Sequence, residues 1–263
     1  MFKNSAEFRI VGQCNPEASG GKINNRFSFY PRAPLFEGFP MLVNADFTQR
    51  AIVAPHQYQW VGSPQGGIER VMLDRLGGED ARATSIVRYA PDSCFPRHLH
   101  PQGEEILVLS GTFSEGDQHY PAGWYLRNPP GSSHQPSSAG GAIIFVKLQQ
   151  MAPRDRQVVR IDTRDPRHWQ THADGEVCHL CANDVERVWL QRLPPGGRFR
   201  VEGDVELLML DGEAHCDGHS YPRGTWMRFP AGDPARIVAG THGATLYVKR
   251  AELVPASAEA IHA

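Results

Sequence analysis

The sequence predicts an all-β protein in which two similar antiparallel units follow one another along the chain. Glycine and proline, 26 and 21 of the 263 residues, separate short runs rich in β-branched and aromatic side chains. Few stretches show helical periodicity, and many short strands with turn residues between them are typical of an antiparallel sandwich or barrel. A third observation, an internal repeat, divides this chain into two units.

The strands of the first unit are predicted from short apolar or alternating runs that are bounded by turn residues. They are IERVML (68–73), ATSIVRYA (83–90), EILVLSG (105–111), GAIIFVKL (141–148) and RQVVRID (156–162). The first forty-odd residues contain Pro31, Pro34 and Pro40, which cannot donate to a strand ladder. Residues 1–54 are therefore predicted as an extended arm.

The repeat has an offset of 101 residues, which places EILVLSG at 105 on ELLMLDG at 206 and YPAGWYLRNPPG at 120 on YPRGTWMRFPAG at 221. Matching positions follow in the same order along both copies, which chance does not readily produce. The expected domains are the arm at 1–54, a first barrel at 55–150 and a second barrel at 151–263. The matched residues are Glu105, Gly111, Tyr120, Gly123, Pro129 and Gly131 with Glu206, Gly212, Tyr221, Gly224, Pro230 and Gly232.

Charge and composition narrow the class of partner. The chain has 27 Lys plus Arg against 29 Asp plus Glu, a formal net charge of -2, and no long basic block. Binding to nucleic acid or to an anionic membrane surface is therefore not expected, and a small-molecule substrate is. No long apolar run follows a basic cluster at the start, which predicts a cytoplasmic protein. Five cysteines, an odd number, favour reduced thiols.

A strand-like stretch carries three residues of metal-ligand type. His98, His100 and Glu104 have the same parity, so their side chains are expected on one face. His134 follows after another strand-like run and a turn, and a barrel interior would bring it to the other three. Three imidazoles and one carboxylate suit Zn, Mn, Fe, Ni or Cu better than Ca or Mg. The alternative is a set of hydrogen-bonded polar residues in a structural or sugar-binding barrel.

These residues resemble the two motifs of the cupin superfamily, and GEEILVLSG and YLRNPPGSSH are most similar to its ChrR-like branch. That branch includes the zinc-binding domain of ChrR-type anti-sigma factors and 2,4'-dihydroxyacetophenone dioxygenase. The resemblance implies a bicupin, two antiparallel β-barrels of the double-stranded β-helix or jelly-roll type, with one metal ion on the two histidines, the glutamate and the last histidine. The motifs are His98-x-His100-x3-Glu104-x6-Gly111 and Gly123-x5-Pro129-x-Gly131-x2-His134.

The second unit has none of these ligands in the repeat register. Phe199, Val201, Val205 and Ala235 occupy the four positions, so the second barrel is predicted to be metal-free and filled with apolar side chains. If the loop before the strand is three residues shorter, Glu202 and Asp204 replace the two histidines. Two carboxylates without a histidine would still be a poor transition-metal site.

A pair of cysteines, Cys178 and Cys181 with His179 between them, resembles a redox pair or half of a zinc knuckle. The chain has no second CxxC, and a regular strand would send the two thiols to opposite faces, so a structural role is expected. Cys94 lies just before the ligand stretch, and a small buried thiol is its expected role.

The expected function depends on how many coordination positions stay open. Four protein ligands close a tetrahedral zinc site, whereas an octahedral iron with the same ligands keeps two positions for a substrate or dioxygen. A ChrR-type regulator also needs a zinc module ahead of the cupin, and before residue 90 the chain has only His56 and Cys14.

The sequence therefore predicts a mononuclear non-haem Fe(II) dioxygenase acting on a hydroxy-ketone or diketone, with catalytic residues beyond the ligands unassigned. The alternatives are a non-enzymatic zinc-binding sensor and a metal-dependent isomerase or hydrolase. The arm or a sheet edge offers a route to a homodimer.

Overall fold

The structure is a computed structural model that describes residues 41–78 and 81–251. Nearly all regular structure in these residues is β, and the two 3-10 helices described are Pro55–Gln57 and Pro166–His168. The strands before residue 150 are β1 (Met41–Val43), β2 (Ala51–Val53), β3 (Val61–Gly62), β4 (Ile68–Gly77), β5 (Arg82–Tyr89), β6 (Ser93–Cys94), β7 (His98–His100), β8 (Glu104–Glu115), β9 (Gln118–Pro121), β10 (Trp124–Asn128), β11 (Ser132–His134), β12 (Pro136–Ser138) and β13 (Ala142–Leu148).

The remaining strands form a second series. They are β14 (Val159–Asp162), β15 (Trp169–His172), β16 (Gly175–Ala182), β17 (Glu186–Leu193), β18 (Arg198–Arg200), β19 (Val205–Cys216), β20 (His219–Pro222), β21 (Trp226–Phe229) and β22 (Arg236–Ala251). The five strands predicted from the sequence all correspond to observed ones, and every strand pairing is antiparallel. The all-β antiparallel fold class is thus confirmed.

Two large sheets contain most of the strands. The first sheet has the order β1-β4-β5-β13-β8-β10-β14, and the second has the order β15-β16-β17-β22-β19-β21-β2. The repeat shows in these orders, because β8 and β19 are both twelve-residue strands that pair with β10 and β21. The small pair of β7 with β11 lies outside both sheets.

Glycine recurs in the repeat where two backbones approach closely. Gly111 in β8 and Gly212 in β19 have φ of +69° and +71°. A Cβ atom would lie 2.0 Å from the carbonyl oxygen of Gly141 at the first position and 2.3 Å from that of Gly243 at the second. Both the positive φ and the close backbone therefore require glycine in each copy.

Two strands are exchanged between the units. The strand just before the first unit joins the second sheet, and the strand just before the second unit joins the first sheet. Strand β2 pairs with β21 of the second sheet, and β14 pairs with β10 of the first. Strand β2 thus falls in the range predicted as the arm, and β14 falls in the range predicted as the second barrel. The tandem barrels and their boundaries stay predictions, and residues 1–40 of the predicted arm lie outside the described residues.

The faces between the two sheets share an apolar cluster and a layer of buried charge, which we call the inter-sheet charge layer: Glu105, Lys147, Glu206 and Lys249. Lys147 Nζ donates to Glu206 Oε1 at 2.6 Å, and Lys249 Nζ donates to Glu105 Oε2 at 2.8 Å. The two glutamates are repeat equivalents, and so are the lysines to within one residue. Each sheet therefore neutralises the buried carboxylate of the other.

The cysteines follow the expected reduced state only in part. Cys178, Cys181 and Cys216 are free thiols. Cys94 is disulfide-bonded, so the expectation is wrong for this residue. Cys14 lies outside the described residues. Within the described part of the chain, no helix is long and apolar enough to span a membrane.

Candidate metal centre

The four residues singled out in the sequence meet in one buried cluster of the first unit. Strand β7 pairs with β11, and this register sets His98 opposite His134. The Nε2 atoms of His100 and His134 lie 2.9 Å apart, and Glu104 Oε2 lies 3.5 Å and 3.4 Å from them. The ring of His98 lies 4.6 Å and 5.0 Å, centroid to centroid, from those of His100 and His134. The structure thus places the donor atoms of His100, Glu104 and His134 close together, and His98 lies beside the two histidines.

The convergence has a different local cause from the one that the sequence predicts. His98 and His100 end one strand and Glu104 begins the next, so the three residues do not share a single strand. Gly103 makes the turn between them with φ of +76°, and a Cβ atom there would lie 2.9 Å from the carbonyl oxygen of Asn128. Glycine is therefore needed for Glu104 to fold back toward the histidines.

The distances between the donor atoms fit a single transition-metal ion. Ligand atoms about 2.1 Å from a common ion are separated by about 3.0 Å in an octahedral arrangement and about 3.4 Å in a tetrahedral one. The separations of 2.9, 3.4 and 3.5 Å among His100, His134 and Glu104 fall close to these values. One ring nitrogen from each of the three histidines also lies within a common 4.8 Å. The cluster could therefore hold a metal ion.

A second set of polar residues, which the sequence analysis did not identify, forms hydrogen bonds to the cluster. Glu115 Oε1 lies 2.6 Å from His134 Nδ1, and Asn128 Nδ2 donates to Glu115 at 3.0 Å and to Glu104 at 3.3 Å. Arg160 in turn donates to Glu115 Oε2 at 3.0 Å and to Asn128 Oδ1 at 2.6 Å. With Nδ1–H directed at Glu115, His134 presents the lone pair of Nε2 to the cluster, as a metal ligand must.

Two features of the fold explain why Glu115 and Arg160 could not be assigned to the cluster from the sequence. Eleven residues separate Glu104 from Glu115, an odd number that predicts opposite faces of a strand. A β-bulge between Val108 and Ser110 reverses the alternation, so both carboxylates reach the same side. Arg160 lies on β14, and only the pairing of β14 with β10 brings it to the first unit. In the sequence, the local feature that could have indicated this bulge is Gly111, which follows it directly.

Burial and neighbouring charges leave the cluster with different protonation states when no metal is bound. Burial lowers the pKa of His98, and burial together with His134 and His98 lowers the pKa of His100 to about 3. Burial raises the pKa of Glu104, an effect that His134 partly offsets. Burial alone would lower the pKa of His134, but Glu104 and Glu115 outweigh it and raise the pKa. His98 and His100 are therefore neutral near pH 7, as ligands must be.

The equivalent positions of the second sheet belong to an apolar core. Phe199, Val201, Val205 and Ala235 are all buried in one cluster. The alternative pair does not replace them, because the Glu202 side chain is 60% exposed and Asp204 accepts a hydrogen bond from the Ala231 amide at 2.8 Å. Among the described residues, the groups of three or more potential metal-binding side chains lie in the first unit.

The side chains of Cys178 and Cys181 do not point to opposite faces as expected, but their thiols fit the structural role that the sequence predicts. A bulge in β16 after His179 turns both thiols into the inter-sheet apolar cluster, so the prediction of opposite faces is wrong. Burial raises the pKa of each thiol to about 11. Such thiols are protonated near neutral pH and unreactive, which fits a structural role.

Comparisons with known proteins agree with this geometry. Residues 48–152 match the family described as the ChrR Cupin-like domain. A Nostoc punctiforme structure described as a "putative dioxygenase" has a TM-score of 0.64 and 16% identity, and the match covers 80% of this chain and 85% of that one. The Escherichia coli protein YlbA has a TM-score of 0.59 and 14% identity, with 81% and 94% covered.

The Escherichia coli pirin YhhW in complex with nickel(II) has a TM-score of 0.55 and 11% identity, with 77% and 99% covered. No curated protein matches the chain in sequence. At these identities the similarity shows a shared cupin fold, and it leaves the activity to be argued from the site.

Proposed function

We propose that the protein is a mononuclear metal-dependent dioxygenase, and the match of residues 48–152 to the ChrR Cupin-like domain supports this proposal. Its substrate would be a small oxygenated carbon compound of the hydroxy-ketone or diketone type. The observation that carries the proposal is the buried group of His100, Glu104 and His134 with separations suited to one ion, together with the half-buried His98, whose ring nitrogen lies within 4.8 Å of those of the other two histidines. His98, His100, Glu104 and His134 would hold the metal, with Fe(II) favoured and Zn(II) as the alternative.

When bound, an iron ion with four protein ligands offers two open positions, which suit a substrate with two neighbouring oxygens and dioxygen. The chain itself supplies apolar side chains next to the polar ligand residues. Ile106, Val108 and Phe113 belong to one buried apolar cluster of the first unit, and the Phe113 ring lies 6.2 Å from that of His134. These side chains exclude water, and the Glu115–His134 hydrogen bond holds the last ligand in place.

The proposed reaction cleaves the carbon–carbon bond next to a carbonyl. For a hydroxy-ketone, the ketone carbon and the hydroxymethyl carbon each become a carboxylic acid, and each takes up one atom of dioxygen. The substrate supplies all the electrons that reduce dioxygen, so no external reductant is consumed. A cluster that binds only a metal and a chelating substrate is therefore sufficient for the chemistry.

The test is oxygen uptake by metal-free protein that has been reconstituted separately with Fe(II) and with Zn(II). The substrates would be β-diketones, α-hydroxy-ketones and aryl ketones. We expect turnover with iron, none with zinc, and none with the His134→Ala variant. His56→Ala is the matched control, because His56 lies in the 3-10 helix Pro55–Gln57, outside the cluster.

A zinc-binding sensor is the competing function, and the match to the ChrR Cupin-like domain favours it as the second candidate. Four protein ligands around zinc form a closed tetrahedral site with no position for a substrate. Protein that purifies with tightly held zinc, and whose iron-loaded form consumes no oxygen with any substrate tested, would replace the enzyme proposal with this one.

A further inference from the structure

A cleft lies in the second unit, on a face of the β16–β17–β22 sheet where the described residues form no metal-ligand cluster. It has a volume of about 650 Å³, within the usual range for small-molecule sites. Trp189 lies near the middle of this face, with His179 opposite it on β16. Arg187 and Arg250 lie at one end of the cleft, and Gln191 lies on the other side of Trp189 along β17.

The two arginines are unusual because they face each other. Arg187 on β17 and Arg250 on β22 are directly opposite in the antiparallel register, and like charges in that position destabilise a sheet. Arg250 has only a distant carboxylate, Glu202 at 3.9 Å, and its own Nε is buried without an acceptor. Arg187 has no ion-pair partner among the described residues. Glu202 is thus the one carboxylate within ion-pair distance of the two arginines among the described residues, and both guanidinium groups remain accessible to a ligand, because Arg187 is exposed and Arg250 is partly exposed.

The wall beside the arginines is flat and apolar. Trp189 is half-buried, packs against Phe199 with ring centroids 6.5 Å apart, and donates from Nε1 to Gln191 Oε1 at 3.3 Å. The guanidinium of Arg250 lies 5.8 Å from the Trp189 ring. The indole face is thus held next to the guanidinium group of Arg250. A planar ligand on Trp189 would bring a carboxylate at its edge to the arginines.

We propose that this cleft binds a small organic carboxylate with a flat apolar or aromatic body. The guanidinium groups of Arg187 and Arg250 hold the carboxylate, and Trp189 stacks against the body. The site is separate from the metal cluster and needs no metal. It goes beyond the proposed dioxygenase activity, and it gives the second unit a binding role of its own.

Calorimetric titration of the intact chain with benzoate tests the proposal, with benzamide as the uncharged analogue and acetate as a carboxylate without a ring. We expect one benzoate site per chain and at least tenfold weaker binding of benzamide and acetate. Arg187→Ala and Arg250→Ala should each weaken benzoate binding about tenfold to a hundredfold, because each removes a charged hydrogen bond. Arg250→Lys keeps the charge but not the planar fork, and should lose part of the affinity.

Two controls separate this site from others. Arg192→Ala removes another arginine of β17, which is half-exposed and bonded to Glu176 at 3.0 Å, and should leave benzoate binding unchanged. His134→Ala should also leave it unchanged, whereas a benzoate bound to the metal cluster would be lost. Without ligand, Arg187→Ala should melt at the same or a higher temperature than the unmodified chain, because it relieves the opposed charges.

The proposal is overturned if benzamide binds as tightly as benzoate, or if binding responds to His134→Ala and not to the two arginine variants. It is equally overturned if the chain shows no benzoate binding at millimolar concentrations. A marked loss of thermal stability in ligand-free Arg187→Ala would assign the arginine pair to the fold instead.

Discussion

Strands β8 and β19 occupy equivalent places in the two sheets, yet their first residues differ in kind. Glu104 begins β8 and faces two histidines, whereas Val205 begins β19 and lies in an apolar core. Both strands have the same length, the same bulge after the same repeat position and a glycine with positive φ. The backbone of this strand therefore does not depend on the polar cluster.

The supporting residues change together with the ligands. In the repeat register Glu115 corresponds to Cys216 and Asn128 corresponds to Phe229, and both replacements are buried in the apolar core of the second sheet. A buried carboxylate and amide are costly unless they are hydrogen-bonded. Their presence in the first unit alone indicates that they serve the histidine and glutamate cluster.

Unlike the residues of the interiors, the charged residues between the two sheets are the same in both copies of the repeat. Each sheet contributes one glutamate and one lysine to the inter-sheet charge layer, and each pair crosses from one sheet to the other. The repeat thus keeps the side chains that join its halves and varies those that fill each interior. The interior is where the two units can acquire different functions.

The largest expected difference between the units is in metal binding. His100→Ala or Glu104→Ala should abolish binding of the single ion, because each leaves an incomplete set of ligands. Phe199→Leu and Val205→Ala, at equivalent positions of the second sheet, should leave the count at one ion per chain. Elemental analysis of the purified variants measures this. Two ions per chain, or an ion that persists in the His100 and Glu104 variants, would contradict the assignment.

Both lysines of the inter-sheet charge layer are expected to stabilise the fold. Lys147→Met leaves Glu206 buried without its lysine, and Lys249→Met removes one of the partners of Glu105. Removing one partner of a buried ion pair costs about 3–5 kcal/mol, so both variants should lower the free energy of unfolding by amounts of this order. Denaturant unfolding measures the change.

The control for this prediction is an exposed ion pair. Arg192→Met removes the half-exposed Arg192–Glu176 pair and should cost less than about 1 kcal/mol. If either lysine variant is as mild as this control, the crossed pairs do not hold the sheets together.

The sequence predicts the parts of the molecule that follow local rules. The all-β class follows from short apolar runs between glycines and prolines, and the four residues of the cluster follow from their motif spacing. Glu115 could not be predicted, because the bulge in β8 reverses the alternation on which parity depends. Arg160 could not be predicted either, since its contacts with Glu115 and Asn128 arise from the long-range pairing of β14 with β10.

The contribution of Glu115 is expected to be smaller than that of a ligand. Glu115→Ala removes the acceptor for His134 Nδ1 and should weaken metal binding about tenfold to a hundredfold without abolishing it. Cys216→Ala, at the equivalent position in the second sheet, should leave metal affinity unchanged. Competition with a chromophoric chelator measures both. Equal affinity in the Glu115 variant and the unmodified chain would show that the hydrogen bond does not orient the ligand.

The smallest expected effect concerns pH and the metal-free state, in which the histidines act with opposite signs. Burial lowers the pKa of His100 to about 3, so the unfolded chain takes up a proton that the folded chain refuses. This histidine lowers stability progressively as the pH falls from about 6.5 toward its folded pKa. The raised pKa of His134 contributes stability that is present below about 6.5 and is lost as the pH rises through its folded pKa.

Metal binding should therefore displace protons mainly from His134 and Glu104, whose pKa values are raised, since His98 and His100 are already neutral near pH 7. Below the raised pKa of His134, metal affinity should fall as the pH decreases, because protons compete with the metal for His134 and Glu104. Glu115→Gln removes a carboxylate that raises the pKa of His134, so the metal affinity of this variant should begin to fall at a lower pH. Variants of the apolar core of the second sheet should leave that pH unchanged. Chelator competition across pH 5 to 8 measures the slope of this fall, and a slope of three protons would mean that His98 or His100 is also protonated before the metal arrives.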